Sequence, residues 1–395
     1  MSRPVRPGPQ IASHMDFELS DEQRSLRQSI IDFAQRELNA DVLERDKDGT
    51  FSREAWAKCA ELGLLALPVP EEYGGAGADA LTILVALEAL GYACTDNGLV
   101  FSLNAQLWAC ETPIVHFGTE EQKRRYLPGL CDGSLLAAHG MSEPGSGSDA
   151  FALATTATKT DGGYVLNGSK TFVTNAPEAD LHLLFATVDR SLGFAGITAF
   201  LVDEGMPGLS VGKPLSKMGL RTSPMSEVFL EKCEVPEGAL LGEPGGGMAV
   251  FNTSMTWERG CILASTVGAM ERQLERSLAY AQERKQFGKP IGSNQSVARP
   301  LVDMKIRLET ARLLLYRLGW LLSSGRPAGL DSALVKLYLS DCYVRSSLDA
   351  LQIHGGYGYM TEYELEREVR DALGSKLYSG TSEIQYNLAA RNMGL

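Results

Sequence analysis

The sequence predicts an α+β protein built as three consecutive domains, the first helical, the second β and the third helical. Apolar residues recur with a helical period in the first third of the chain and alternate with a period of two in the middle third. The helical period returns after Gly245-Gly246-Gly247. The 395 residues are 44% hydrophobic and 22% charged, which excludes disordered, collagen-like and disulfide-scaffold proteins. We therefore predict an N-terminal helical domain, a middle β-barrel domain and a C-terminal four-helix bundle.

The domain boundaries follow these changes of period. We place the N-terminal α-helical domain at residues 16–132, the middle β domain at 133–243 and the C-terminal bundle at 244–395. Residues 1–15 are rich in Pro and Arg and lack the apolar stretch of a signal peptide. We interpret them as a disordered extension or a tag that ends at Ser13-His14-Met15.

The first domain opens with a helix-start signal. Ser20 stands at the N-cap position and Gln23 at the position that completes a capping box, directly before a run of helical apolar spacing. Further helices are predicted over residues 53–62, 80–92 and 99–116, most of them bounded by Gly or by Gly/Pro clusters. This third of the chain is predicted to be a helical bundle.

The middle domain shows strand alternation between about residues 135 and 241. Turn signals at Asp161-Gly162-Gly163 and at Asn167-Gly168 separate short alternating runs. Such spacing is typical of antiparallel hairpins in a small β-barrel or sandwich.

The last domain contains four predicted helical segments, over residues 248–284, 296–323, 332–354 and 381–391. Their faces carry more apolar residues than one subunit needs to bury. We therefore expect a homo-oligomer built on these helices.

Charge and residue counts exclude several classes of function. The sequence has 37 Lys and Arg against 49 Asp and Glu, for a net charge of −12. It contains no cluster of Lys and Arg that could bind along a phosphate backbone, so no nucleic-acid partner is expected. The seven cysteines are scattered and form no CxxC pair, and no two of the five histidines are close enough in the sequence to lie on one helical turn. No metal site is therefore predicted. No apolar run reaches the roughly 20 residues of a membrane span. Reduced thiols and the lack of a span lead us to expect a cytoplasmic protein.

Four motifs carry the functional interpretation. Gly140–Asp149 is a Gly-rich turn whose backbone N–H groups and small hydroxyls can approach a planar ring, and in Gln352–Tyr359 glycines end a helix. Glu283–Gly288 and Gly380–Gln385 complete the set. With these motifs in this order, the chain resembles the acyl-CoA dehydrogenase superfamily.

The resemblance implies that FAD is the cofactor. Met141 and Ser142 are expected to meet the pyrimidine side of the flavin. Phe172, Val173 and Thr174 are expected along its dimethylbenzene and N5 side, with the Thr174 hydroxyl on N5.

The resemblance also implies that the ADP half of FAD lies across a dimer interface. The pyrophosphate needs a cation, for which we expect Arg284, and the helix that begins at Thr381 adds a partial positive charge. The other residues that the resemblance assigns to FAD are Ser148, Phe287, Gln295, Gln352, Gly356 and Glu383.

The catalytic base departs from the commonest family pattern. Most members have a Glu directly before the Gly-Thr of the last motif, but this chain has Ser379, whose hydroxyl has too high a pKa to take an α-proton. Isovaleryl-CoA dehydrogenase and its relatives carry the base in a Glu-Arg pair on the first long helix of the C-terminal domain, which matches Glu258-Arg259. Apolar neighbours should raise the pKa of Glu258 towards the working pH, so Glu258 is the predicted base.

The substrate is predicted to be an acyl thioester held by Ser148, Arg259 and Ser379. For Ser379 we expect only the backbone N–H to take part, as a donor to the thioester carbonyl. Thr256 stands where the coenzyme A enzymes commonly have an Asp that helps to hold the pantetheine. Both coenzyme A and an acyl or peptidyl carrier protein therefore stay open as carriers, and prolyl-carrier-protein dehydrogenases belong to the same superfamily. Trp108 and Trp257 either narrow the pocket or form plain core.

The predicted function is FAD-dependent α,β-dehydrogenation of a short or cyclic acyl thioester. By family analogy the electrons would leave through an electron-transferring flavoprotein, and the assembly would be a homotetramer or homodimer. The alternatives are a flavin-dependent oxidase or monooxygenase on the same fold and a non-catalytic partner. The near-complete FAD motifs argue against the last of these.

Overall fold

The computed structural model describes residues 18–395. The interpretation of residues 1–15 as an extension or tag lies outside the described residues. Within residues 18–395, none of the helices is long and apolar enough to cross a membrane.

The N-terminal domain is helical, as predicted. Helix α1 begins at the predicted capping box, in which Ser20 Oγ accepts from Gln23 N and Gln23 Oε1 accepts from Ser20 N. The helices are α1 Asp21–Glu37, α2 Val42–Asp48, α3 Arg53–Glu61, α4 Ala80–Ala93, α5 Asn97–Gln106, α6 Thr112–Phe117 and α7 Glu120–Cys131.

The helix predicted over residues 99–116 is interrupted by a π-helical turn, Leu107–Glu111, between α5 and α6. Both the backbone N–H and the Oγ1 of Thr112 donate to Leu107 O, five residues back, and Pro113 has no N–H with which to continue a regular ladder. We did not predict α2 or α7, although the capping box of Thr119 and Gln122 marks the start of α7.

Helix α4 joins the first and last domains. It is buried almost all round, and it packs against α1 and two later helices, α9 (Ala264–Glu283) and α10 (Gln295–Ser323). Gly91 lies against Ser265 O, and Gly268 lies against Glu88 O, where a Cβ on either glycine would fall about 2 Å from that oxygen. The backbones of α4 and α9 therefore meet directly.

The middle domain is an eight-stranded sheet in the order β6-β7-β3-β2-β4-β5-β8, with β1 paired in parallel to β4. The Asp161-Gly162-Gly163 turn is confirmed, because it joins β2 and β3 as an antiparallel hairpin. The strands are β1 Ala137–Gly140, β2 Thr156–Thr160, β3 Gly163–Thr174, β4 Leu181–Thr187, β5 Ile197–Asp203, β6 Leu209–Val211, β7 Met225–Pro236 and β8 Leu240–Leu241.

The second predicted turn, Asn167-Gly168, is wrong, because this dipeptide lies inside β3 at a register shift against β7. Asn167 Oδ1 accepts from Lys232 N, and Gly168 has φ 150° with no room for a side chain beside Thr155. The same residues that favour a turn here form a bulge in a continuous strand.

The C-terminal domain is helical, as predicted, but the segment predicted over residues 248–284 is two helices. The break falls at Ile262-Leu263, and both the N–H and the Oγ1 of Thr266 donate to Leu263 O at the start of the second helix. A short ribbon, β9 Lys285–Gln286 with β10 Lys289–Pro290, follows α9. The helices are α8 Gly247–Cys261, α9 and α10 as given, α11 Gly329–His354, α12 Leu365–Gly374 and α13 Ser382–Asn392.

Candidate active site

The predicted base, Glu258, lies on α8 with 8% of its surface exposed. Burial raises the pKa of Glu258 above its ordinary value, while the Ser379 hydroxyl, Arg259 and Lys336 each lower it in part. A buried carboxylate whose pKa is raised holds a proton more strongly than an exposed one, which suits it to act as a base.

Ser379 contacts this carboxylate through its side chain. Its Oγ donates a hydrogen bond to Glu258 Oε1 over 2.5 Å. The expectation that only the backbone N–H of Ser379 takes part is therefore incomplete. The side-chain contact depends on the left-handed backbone of Ser379, φ 56°, which residue type alone does not reveal. Among the described residues, no backbone oxygen accepts from the Ser379 N–H, so this donor is free for a substrate carbonyl.

Two buried polar side chains hold the 375–380 segment, which carries Ser379 from α12 to α13. Lys336 Nζ, on α11, donates to Ser375 O over 2.5 Å and to Gly380 O over 3.4 Å. Gln385 Nε2, on α13, donates to Ser379 O over 3.1 Å and to Gly380 O over 2.9 Å. Sequence reasoning missed both residues, although a lysine inside the apolar run of residues 333–339 is a signal that could have marked Lys336.

Of the other two predicted substrate residues, Arg259 lies near Glu258 and Ser148 shows no link to it. Arg259 is half-buried beside Glu258, and its Nε has no hydrogen-bond partner among the described residues. Burial lowers the pKa of Arg259, and Glu258 opposes this shift. Ser148 is exposed in the loop of the first motif, and among the described residues no hydrogen bond joins it to Glu258 or Ser379.

Two tryptophans stack beside the base, and one of them, Trp257, directly precedes Glu258 in the chain. The rings of Trp108, on the π-helical turn, and Trp257, on α8, are parallel within 10° with centroids 5.9 Å apart. Trp108 is fully buried, and its Nε1 donates to Asn104 Oδ1 over 3.0 Å, whereas Trp257 is half-buried. Trp108 therefore belongs to the core, and the partly buried Trp257 packs against that core.

The residues predicted to line the flavin lie on two adjacent segments. The N–H of Thr171 on β3 donates to Ser142 O over 2.9 Å, which joins the first motif to the strand that carries Phe172, Val173 and Thr174. A bulge in the pairing of β3 with β7 puts Phe172 at φ 57°, with 66% of its surface exposed. Met141 and Val173 are buried, while Ser142 and Thr174 are half-buried.

A buried ion pair lies beneath these segments. Lys170 Nζ is 2.6 Å from Glu143 Oε1 and donates to Met141 O over 3.4 Å. The opposite carboxylate oxygen, Glu143 Oε2, accepts from Ala154 N, and both Glu143 oxygens accept from Thr155 N. Burial lowers the pKa of Lys170 to about 8 despite this carboxylate. The pair ties β3 to the first motif.

The residues predicted to hold the ADP half are mostly exposed. Arg284 follows α9, and its guanidinium lies 5.5 Å from the centre of the Tyr357 ring, in a cavity of about 460 Å³ that Gly356 also lines. Phe287 lies in the turn of the β9–β10 ribbon, with φ 51° and 96% of its surface exposed. Gln295 begins α10 and Gln352 lies on α11, both exposed.

The last motif begins α13. Thr381 is the N-cap, and its Oγ1 accepts from Ile384 N over 3.4 Å, while Glu383 is exposed in the first turn. Among the described residues, no hydrogen bond or ion pair joins Thr381 or Glu383 to Arg284 within one copy of the chain.

Comparison with known families covers almost the whole chain. The N-terminal, middle and C-terminal domain models of acyl-CoA dehydrogenase match residues 20–134, 138–233 and 245–394, in that order. The chain belongs to the acyl-CoA dehydrogenase family.

Within the acyl-CoA dehydrogenases, this chain is similar to proteins that act on carrier-bound proline. It is 43% identical to the L-prolyl-[peptidyl-carrier protein] dehydrogenase of Pseudomonas fluorescens, over 96% of this chain and 100% of that protein. The short-chain specific acyl-CoA dehydrogenase of Megasphaera elsdenii is 39% identical, over 94% of this chain and 97% of that protein.

Solved structures of acyl-CoA dehydrogenase relatives agree with the observed fold. The prolyl acyl carrier protein oxidase AnaB superposes with a TM-score of 0.95 at 50% identity, over 96% of this chain and all of that one. PigA, determined with FAD and proline, superposes with a TM-score of 0.94 at 42% identity, again over 96% of this chain and all of that one.

Proposed function

We propose that this chain is an FAD-dependent dehydrogenase that introduces an α,β double bond into a short or cyclic acyl thioester. The observation that carries the proposal is the buried carboxylate of Glu258, next to the free backbone N–H of Ser379. A base and an N–H donor on neighbouring segments are what removal of a proton α to a thioester carbonyl requires.

The side chains around the predicted FAD site fit that cofactor. Phe172 is lifted out of β3 and exposed, so a planar ring can cover it, and the half-buried Thr174 hydroxyl follows on the same strand. Arg284 offers a cation to a pyrophosphate, in a cavity of about 460 Å³. We assign to FAD the residues predicted from the sequence, namely Met141, Ser142, Ser148, Phe172, Val173, Thr174, Arg284, Phe287, Gln295, Gln352, Gly356, Thr381 and Glu383.

In the proposed mechanism, Glu258 takes the α-proton of the substrate. The Ser379 N–H donates to the thioester carbonyl oxygen, which makes the α-proton more acidic by stabilising the negative charge that develops on that oxygen. When bound, FAD supplies the acceptor for the hydride that leaves the β-carbon. Arg259 and Ser148 are proposed to contact the substrate, and Trp257 borders the acyl group on the aromatic side.

The favoured substrate is a prolyl group on a peptidyl carrier protein. Two relatives named for that activity are 43% and 42% identical to this chain over 96% of its length. Thr256 also lacks the carboxylate that commonly helps to hold coenzyme A. Oxidase activity is the second candidate, because AnaB, at 50% identity, is named an oxidase.

Exposed apolar surface on the C-terminal helices supports the proposed assembly. Large apolar side chains of α10 and α11 are exposed, among them Val302, Leu313, Trp320, Leu334 and Leu348. We propose that these faces pair copies of the chain into a homodimer or homotetramer. We further propose a cytoplasmic enzyme with an electron-transferring flavoprotein as acceptor, and domains at residues 16–132, 133–243 and 244–395.

Stopped-flow reduction of the bound flavin tests the proposal. The parent protein should be reduced anaerobically by prolyl-loaded carrier protein far faster than by prolyl coenzyme A, because protein contacts add binding energy. Glu258→Gln should keep the flavin and slow its reduction by roughly 10²-fold or more. Glu111→Gln, which alters a buried carboxylate on the neighbouring π-helical turn, is the control and should be reduced at the parent rate.

Three outcomes would overturn parts of this proposal. Parent-like reduction of Glu258→Gln would remove Glu258 as the base. Equal rates on the two carriers would remove the carrier-protein assignment. Rapid reoxidation of the reduced protein by air would select the oxidase over the dehydrogenase.

A further inference from the structure

Ser379 occupies the position of the base in most family members, and its hydroxyl contacts the carboxylate that takes over that role. We infer that Ser379 is a positioning residue, whose hydroxyl holds Glu258 in one orientation and favours its ionised form. The inference rests on the proposed function, because the role has meaning only if Glu258 is the base. It extends that function by assigning a role to the side chain of Ser379, which stands where most family members have the catalytic Glu.

Buried side chains hold the backbone of Ser379 in its unusual conformation. A left-handed backbone is unfavourable for a residue other than glycine, so it persists only where its surroundings fix it. Here Gln385 fixes the carbonyls of Ser379 and Gly380, and Lys336 fixes those of Ser375 and Gly380. Gln385 and Lys336 are both fully buried. The segment therefore presents the Ser379 hydroxyl at one fixed place.

A hydroxyl that donates to a carboxylate favours the ionised carboxylate, because the proton it offers is attracted more strongly by the anion. Burial favours the protonated form of Glu258, which cannot act as a base, and the Ser379 hydroxyl opposes that effect. The Ser379 contact is direct, whereas Arg259 and Lys336 act through space. The titratable or charged groups of the described residues that interact with Glu258 are Arg259 on α8, Lys336 on α11, Tyr378 beside Ser379, and Cys110 on the π-helical turn.

Two variants remove the hydroxyl in different ways. Ser379→Gly relieves the left-handed backbone, and Ser379→Ala keeps the size of the residue, so at least one of them should fold. Ser375→Ala is the matched control, because it deletes a buried hydroxyl of the same segment that bonds to Ala372 O and not to Glu258.

The first measurement is the pH profile of flavin reduction by substrate. Loss of the hydrogen bond should raise the apparent pKa of the base, because a donor that favours the ionised carboxylate is removed. Reduction should therefore slow below that pKa and recover towards the parent rate at higher pH. Ser375→Ala should keep the parent profile. A rate lowered equally at every pH, or a profile that does not move, would overturn the inference.

The second measurement needs no turnover. Infrared difference titration of the unliganded holoenzyme follows the carbonyl stretch of protonated Glu258, which is identified by its absence in Glu258→Gln. The midpoint should rise in Ser379→Gly or Ser379→Ala and stay in Ser375→Ala, and an unchanged midpoint would refute the role. A parent protein whose flavin no acyl thioester reduces would instead refute the proposed function.

Discussion

Glu111 should make the folded protein less stable as the pH rises, and Glu111→Gln should remove that dependence. Glu111 ends the π-helical turn and is fully buried. Gln106 Nε2 donates to its Oε1 over 2.9 Å, but Oε2 has no hydrogen-bond partner among the described residues. Burial raises the pKa of Glu111 from 4.5 to about 8.

Proton binding sets the direction in which the free energy of unfolding changes with pH. Between these two pH values the unfolded carboxyl is ionised while the folded one keeps its proton, so the folded state binds more protons and the free energy of unfolding falls as the pH rises. At about 1.4 kcal/mol per pH unit, the step from pH 5 to pH 7 should lower the stability by about 2–3 kcal/mol through this one group.

Urea unfolding followed by tryptophan fluorescence, with excess FAD at pH 5, 6, 7 and 8, measures this effect. The stability of Glu111→Gln relative to the parent should increase by about 2–3 kcal/mol between pH 5 and pH 7 and continue to rise towards pH 8. Glu61→Gln, at an exposed glutamate that ends α3, is the control and should show no such trend. A constant difference between Glu111→Gln and the parent at all four pH values would refute the reasoning.

Two further predictions concern the proposed cofactor site. Arg284→Ala should yield partly colourless protein and a weaker oligomer, because the cation for the pyrophosphate is lost. Absorbance measures the flavin content and sedimentation measures the oligomeric state. Full flavin occupancy in a stable monomer would contradict this prediction. Lys170→Met leaves Glu143 buried without its ion-pair partner and should destabilise the protein by about 3 kcal/mol or more in chemical unfolding, with Lys170→Met/Glu143→Gln recovering part of that loss. An undiminished stability of Lys170→Met would show that the pair does not hold the two segments.

Local patterns predicted the elements whose signals are local. The capping box of Ser20 and Gln23 and the hairpin at Asp161-Gly162-Gly163 depend on a few adjacent residues, and both are present in the structure. Asn167-Gly168 has the composition of a turn, but its conformation is decided by Thr155 and Lys232, which lie elsewhere in the sheet.

At the site, the sequence predicted which residues take part better than it predicted how they contact one another. Glu258 is buried, as its apolar neighbours in the sequence predicted. The hydrogen bond from Ser379 to Glu258 could not be predicted from the sequence, because it depends on a positive φ at Ser379. Gln385 and Lys336, which lie on two other helices, hold the segment in that conformation. Lys336 is buried because its partners are carbonyls at residues 375 and 380, and that pairing exists only in the folded chain.

The placement of α4 has a consequence for the order of events during synthesis. Its apolar surface is covered by α9 and α10, which begin only at residues 264 and 295. Arg272 of α9 also supplies the donors for the carbonyls of Gly91, Tyr92 and Cys94 at the end of α4. At ribosomal rates of about 5–20 residues per second, α4 waits roughly 10–35 s for its partners. During that interval α4 can pack only against α1, and the apolar surface that α9 and α10 later cover stays exposed to chaperones.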